Sequence, residues 1–96
     1  MTIIQVRQVS AEDPLEFEVR VHDQSSETSH RVTISRETCN QLIAGKHAPE
    51  QCLEAAFKFL LDREPKEAIL RRFDVGVIST YFPEFERQLS HYLVGS

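Results

Sequence analysis

Residues 15–22 read Leu-Glu-Phe-Glu-Val-Arg-Val-His, and apolar and polar side chains alternate at every step. In a β-strand successive side chains point to opposite faces, so Leu15, Phe17, Val19 and Val21 would share one face. The polar side chains between them would lie on the other face, which is typical of an antiparallel sheet with one face in water. This stretch therefore predicts a strand whose apolar face is covered by another layer.

Strands of the same kind are predicted on both sides of this stretch. Ile4 and Val6 stand in a weaker alternation near the start of the chain, and Val32 and Ile34 stand in a clear one after a polar loop. The connections are short and polar, and consecutive strands with such connections usually pair as antiparallel neighbours. We predict three antiparallel strands, over roughly residues 3–9, 15–23 and 28–34.

The chain after residue 34 carries helix signals only. Ser35 is a good N-cap before a short helix, and three further helices are predicted to begin at or near Pro49, Pro65 and Pro83. Asp74 is predicted to cap an additional short helix. The strongest stripe recurs at helical spacing along the second of these helices and comprises Cys52, Leu53, Ala56, Phe57, Leu60 and Leu61.

The predicted fold class is α+β, as a single domain over residues 1–96. A three-stranded antiparallel β-meander comes first, and four to five helices follow and pack on one face of the sheet. With 96 residues, 41% of them apolar and 27% charged, the chain has the composition of a globular domain.

Net charge and cysteine content limit which partners and which cellular compartment are expected. The net charge is −4, and no half of the chain is basic enough to suggest a binder of the phosphate backbone. No secretory signal or membrane-length apolar run is predicted, so we expect a soluble, cytoplasmic protein. Cys39 and Cys52 both fall on apolar helix faces, where a free cysteine acts as a small hydrophobe in a reducing compartment.

The residue types that most often act in catalysis or bind metal ions form no recognised motif in this sequence. The four histidines lack metal-ligand spacing, and His22 and His30 are predicted to point to opposite faces of the sheet. We predict no catalytic residue, no metal and no cofactor. One alternative stays open, a small enzyme or ligand binder with a pocket between sheet and helices, for which His30 and Thr28 are the candidate polar residues.

A second alternative is a nucleic-acid-binding regulator that uses residues 65–82. This segment reads as helix, tight turn and helix, with Ala68 and Ile78 placed like the packed pair of a helix-turn-helix. The positions that would face the major groove are Val75, Gly76 and Val77, which offer no side-chain donor for base edges. A packed helical corner is the favoured interpretation, and nucleic acid is not an expected partner.

The densest aromatic cluster spans Tyr81-Phe82-Pro83-Glu84-Phe85. Its aromatic side chains either close the core between two helices or anchor a partner, because aromatic residues dominate interface energetics. Ile3 and Ile4 are adjacent in a predicted strand, so one of them should remain on the wet face. We therefore take Tyr81, Phe82, Phe85 and Ile3 as candidate interface residues.

The run Phe57-Lys58-Phe59-Leu60-Leu61-Asp62-Arg63-Glu64-Pro65, followed by Phe73-Asp74-Val75 and the aromatic cluster, resembles the C-terminal half of a group of short uncharacterised bacterial proteins. The resemblance implies a bacterial, cytoplasmic setting and brings no activity, cofactor or binding residues. Our leading hypothesis is a small non-enzymatic interaction domain that self-associates, with a homodimer or another protein as its partner.

Overall fold

The computed structural model describes residues 2–43 and 45–93, which form an α+β fold. The strands are β1 (Ile3–Ser10), β2 (Leu15–His22), β3 (Glu27–Ile34) and β4 (Arg72–Asp74), and they lie in one sheet in the order β1-β2-β3-β4. The helices are α1 (Arg36–Ile43), α2 (Pro49–Leu61), α3 (Gly76–Tyr81) and α4 (Phe85–Gln88), with single 3₁₀ turns at Lys66–Ala68 and Leu89–His91.

The antiparallel meander is confirmed. β1 pairs with β2 and β2 pairs with β3 in antiparallel register, so that Val6 lies opposite Val19 and Val19 lies opposite His30. Side chains of equal parity share a face, and the face that includes Val19 is buried. His22 lies on the other, outer face, so the prediction that His22 and His30 point opposite ways is also confirmed.

The first two helices begin where the sequence predicts. The Ser35 hydroxyl accepts a hydrogen bond of 3.1 Å from the Thr38 backbone N–H, which satisfies one of the free donors at the start of α1. At the start of α2, the Ala48 N–H donates to the side-chain oxygen of Gln51 at 2.7 Å. Gly45 follows α1 with a φ of 71°, a conformation that glycine adopts without steric cost.

The core lies between the inner face of the sheet and α2. Buried side chains of β2 and β3 form one cluster with seven buried residues of α2, and these are Cys52, Leu53, Ala55, Ala56, Phe57, Phe59 and Leu60. Phe57 is fully buried, as predicted. The outer face carries the charged residues of β2, so the prediction that the helices cover a single face of the sheet is confirmed.

The prediction of only three strands is wrong, because β4 adds a fourth strand beside β3. β4 is parallel to β3, with Val32 opposite Phe73. The Arg31 N–H donates to the Arg71 carbonyl at 2.7 Å, and the Val75 N–H donates to the Thr33 carbonyl at 2.8 Å. A parallel pair needs a long crossover, and α1 and α2 provide it here.

The helix predicted to begin near Pro65 is absent, so residues 65–82 form neither the helix-turn-helix considered as an alternative nor the packed helical corner that was favoured. A single 3₁₀ turn, Lys66–Ala68, replaces the first predicted helix, and β4 replaces the tight turn. Asp74 nevertheless acts at the start of α3, where its carboxylate accepts the Gly76 N–H at 2.8 Å. Among the described residues, none of the helices has the length and apolarity needed to cross a membrane.

Candidate functional site

An aromatic corner forms where α2 ends and the C-terminal helices return. The fully buried ring of Phe59 meets Phe82, Phe85 and Tyr92 edge-on, with centroid distances of 5.8, 5.0 and 5.9 Å. The Arg63 guanidinium lies over the same ring at 3.6 Å from its centroid. Edge-to-face and cation–π contacts of this kind stabilise a fixed packing, so most of this corner belongs to the core.

The four candidate interface residues do not form one surface. Phe85 is buried, so its assignment to an interface is corrected: its ring packs against Phe59. Phe82 is half-buried against the same ring. Ile3 is 43% exposed on the outer face of the opposite edge strand, where the alternation of β1 places it, and Tyr81 is 69% exposed.

Tyr81 lies beside a concavity of about 250 Å³, which we call the apolar groove. Its floor consists of the buried side chains Leu60, Ile69 and Ile78. The half-buried residues that line it form its walls, and the exposed ones, Ala68, Leu70 and Tyr81, form its rim; the wall residues are Glu64, Phe73, Val77 and Phe82. The groove therefore lies between the end of α2, the extended segment before β4 and the outer side of α3.

The rim of the apolar groove carries two of the most exposed large apolar side chains among the described residues. Leu70 is 52% exposed and Tyr81 is 69% exposed. An exposed leucine alone needs no explanation, but here two exposed apolar side chains lie together beside an apolar concavity. Sequence reasoning found Tyr81 and missed Leu70, because Leu70 was placed within a predicted helix.

Glu64 is the one charged residue that lines the apolar groove in the described part of the chain. Its backbone N–H donates to the Leu60 carbonyl at 2.9 Å, which holds the residue just beyond the end of α2. The residue is half-buried, and its carboxylate makes no hydrogen bond or ion pair with any residue in 2–43 and 45–93. Sequence reasoning missed Glu64 because an isolated glutamate after a helix has no distinctive pattern.

Behind the rim, a buried histidine fixes the backbone of Leu70. His30 is 2% exposed, and its Nδ1 lies 2.8 Å from the Leu70 carbonyl oxygen. Its Nε2 lies 2.9 Å from the Thr28 hydroxyl, and its ring packs at 5.3 Å from the Phe57 ring. Both ring nitrogens are occupied within the fold, so His30 has a structural role and offers no free nitrogen to a ligand.

A buried lysine fixes the other end of the same segment. The Lys66 side chain is 7% exposed, and its Nζ lies 2.8 Å from Asp23 Oδ2 and 2.9 Å from Glu67 Oε2. The Ser26 hydroxyl also donates to Glu67. These contacts join the β2–β3 loop to the 3₁₀ turn, so the segment that forms one wall of the groove is held at both ends.

A second concavity, of about 260 Å³, lies on the outer face of β1 and β2. Its charged residues pair with each other: Glu18 lies 2.9 Å from Arg7 and 3.8 Å from Arg20. This outer face is a ladder of paired charges in water, as the alternation of β2 predicts.

In the described part of the chain, the histidines and cysteines lie outside the apolar groove. No group of three or more histidine, cysteine, aspartate and glutamate side chains in that part of the chain is placed to hold a metal ion. Cys39 and Cys52 are free and buried, and burial raises the pKa of the Cys52 thiol to about 12. The apolar groove is therefore the site with the most distinctive geometry.

Comparison with known proteins adds no relative: no family model, no curated protein and no solved structure matches the chain. The resemblance of the C-terminal half to short bacterial proteins stays a prediction. Functional inference therefore depends on the geometry of the apolar groove.

Proposed function

We propose that this chain is a small interaction domain whose apolar groove binds a short segment of a partner protein. The observation that carries the proposal is the joint exposure of Leu70 and Tyr81 on the rim of a groove with a buried apolar floor. Apolar concavities with exposed apolar rims receive apolar side chains from a partner, because both surfaces leave water on contact.

The size of the groove favours a segment over a whole folded partner. Ten described residues line it, whereas a standard stable interface uses roughly 20–30 residues on each side. Short segments bind in grooves of this scale by inserting two or three apolar anchors. The segment that forms one wall is held by His30 and Lys66, so this side of the groove is in place before binding and needs little ordering.

Selection from random peptides displayed on phage tests this proposal. Peptides selected on the wild-type chain should bind Leu70→Ser more weakly, because serine removes an apolar rim side chain. Ile3→Ser is the matched control, since Ile3 has a similar exposure of 43% on the outer face. Peptides that bind the wild type, Leu70→Ser and Ile3→Ser equally well would contradict the proposal, and so would a failure to select any peptide.

Self-association is the second candidate, and one observation favours it. The same surface offers an apolar concavity and two apolar projections, Leu70 and Tyr81, which is the self-complementary arrangement that a twofold dimer needs. Light scattering across the micromolar range distinguishes the two candidates. A mass near the 11.1 kDa of one chain rejects the homodimer, and a mass of twice that value, lost in Leu70→Ser but kept in Ile3→Ser, supports it.

A further inference from the structure

We infer that the segment received by the apolar groove carries a lysine or arginine, whose cation pairs with the carboxylate of Glu64. This inference rests on the proposed function and names the chemistry of the partner. Three observations carry it, namely the position of Glu64 on the groove, its lack of a partner within the described chain, and the engagement of the neighbouring cations elsewhere.

The cations nearest to Glu64 in sequence already have partners. Arg63 stacks over Phe59, and its Nε lies 3.4 Å from Glu84 Oε2. Lys66 is held by Asp23 and Glu67 at 2.8 and 2.9 Å. Neither cation is paired with Glu64, so among the described residues a half-buried glutamate lines an apolar surface without an ion-pair partner.

The end of α2 makes this position still less favourable for an isolated negative charge. The last carbonyl groups of a helix carry a partial negative charge, and Glu64 lies shortly after Leu61, the last residue of α2, with its backbone N–H bonded to the Leu60 carbonyl. A cation placed there would be attracted by the carboxylate and by the helix end together. Apolar anchors in the groove would at the same time remove water from the pair and strengthen the attraction.

The composition of the occupant follows from this arrangement. Two or three apolar side chains fill the space between Leu70 and Tyr81, and a basic side chain lies at the end of the groove beside Glu64. A segment with an acidic residue at that position would be rejected, since two carboxylates would meet in a partly dehydrated site. Glu64 thereby determines specificity, and the apolar floor supplies the affinity.

The test uses peptides selected on the wild-type chain from a random library displayed on phage. We expect lysine or arginine to be enriched at one position beside the apolar anchors. For one such peptide, a matched version carries norleucine in place of the basic residue. Fluorescence polarisation then gives the Kd of both peptides for the wild-type chain, for Glu64→Gln and for Glu12→Gln, an exposed acid in the β1–β2 turn that controls for net charge.

The expected result is a loss of roughly tenfold in affinity when the basic residue is removed, in the wild type and in Glu12→Gln. Glu64→Gln should bind both peptides with similar Kd values. Peptides that need Leu70 but show no basic preference, or a preference that survives in Glu64→Gln, would overturn the inference and leave the proposed function standing. Peptides whose binding is insensitive to Leu70→Ser would overturn both.

Discussion

The imidazole Nδ1 of His30 donates a hydrogen bond of 2.8 Å to the carbonyl oxygen of Leu70. A carbonyl oxygen can only accept, so the proton lies on Nδ1 and the unprotonated Nε2 accepts the Thr28 hydroxyl at 2.9 Å. The bond connects the buried centre of β3 to the exposed rim of the apolar groove. The core thereby fixes the backbone of a residue whose side chain is available for contact.

Stability should depend on pH through this histidine. Desolvation lowers the pKa of His30 below its ordinary value of 6.5, so the unfolded chain takes up this proton at a higher pH than the folded chain does. The free energy of unfolding should therefore be greatest above that value and fall below it, by at most about 1.4 kcal/mol per pH unit. Urea unfolding of wild type, His30→Gln and the control His22→Gln measures this dependence. An equal dependence in His30→Gln would contradict the assignment.

Phe57 should be among the most sensitive positions in the core. Its ring is fully buried between His30 and Phe73, with centroid distances of 5.3 and 6.0 Å. Phe57→Ala should lower the free energy of unfolding by about 3–5 kcal/mol, because the cavity that remains is only partly filled by relaxation. Tyr81→Ala, at a mostly exposed aromatic, is the control and should change it by much less. Urea denaturation gives both values, and equal losses would show that Phe57 is misplaced.

The buried ion pair of Lys66 should matter more than an ordinary surface pair. Lys66→Met would leave Asp23 and Glu67 facing each other without the cation that now lies 2.8 and 2.9 Å from them. The Tm should fall clearly more than in Lys58→Met, where the exposed pair with Glu54 spans 3.3 Å. The hydrogen bond from Lys66 holds the pKa of Asp23 well below 3.8, so wild-type stability should also fall as the pH drops below that value. Equal Tm losses in Lys66→Met and Lys58→Met would contradict the greater importance of the Lys66 ion pair.

The two thiols should be inert in the folded chain. Burial raises the pKa of Cys39 and raises that of Cys52 to about 12, so little thiolate forms near neutral pH. Burial also keeps thiol reagents from reaching either sulfur atom. Ellman's reagent should therefore react slowly with the native protein. In denaturant it should react with both cysteines at once. Rapid reaction of either thiol in the native protein would contradict their burial.

The three long strands and α2 are predictable from sequence, because each has a periodic pattern of apolar residues within its own segment. Strict alternation in β2 and a wide stripe in α2 each leave one arrangement that buries the apolar side chains. β4 has three residues and is formed by pairing with β3 across a long crossover, so no local period announces it. The run Ala68-Ile69-Leu70 before β4 is predicted as helical, because the distant pairing of β4 with β3 leaves no local signal there either.

The candidate site was only partly predictable. Exposure of Tyr81 could be anticipated from crowding at one corner, but Phe85 next to it is buried by contact with Phe59. Leu70 and Glu64 join Tyr81 only because β4 pairs with β3 and draws the intervening segment across the end of α2. Leu70→Ser therefore tests the groove more directly than a substitution of Phe82, whose ring packs on Phe59.

NMR mapping of a bound peptide tests whether the apolar groove is the surface on which a partner segment binds. Backbone amide spectra of the labelled chain are recorded while a phage-selected peptide is added. The largest shifts should fall on residues that line the groove, including Leu70, Ile78 and Tyr81, and the signals of Ile3 and Arg20 on the outer face should not move. Shifts concentrated on the outer face of β1 and β2, with the groove residues unchanged, would contradict binding at the groove.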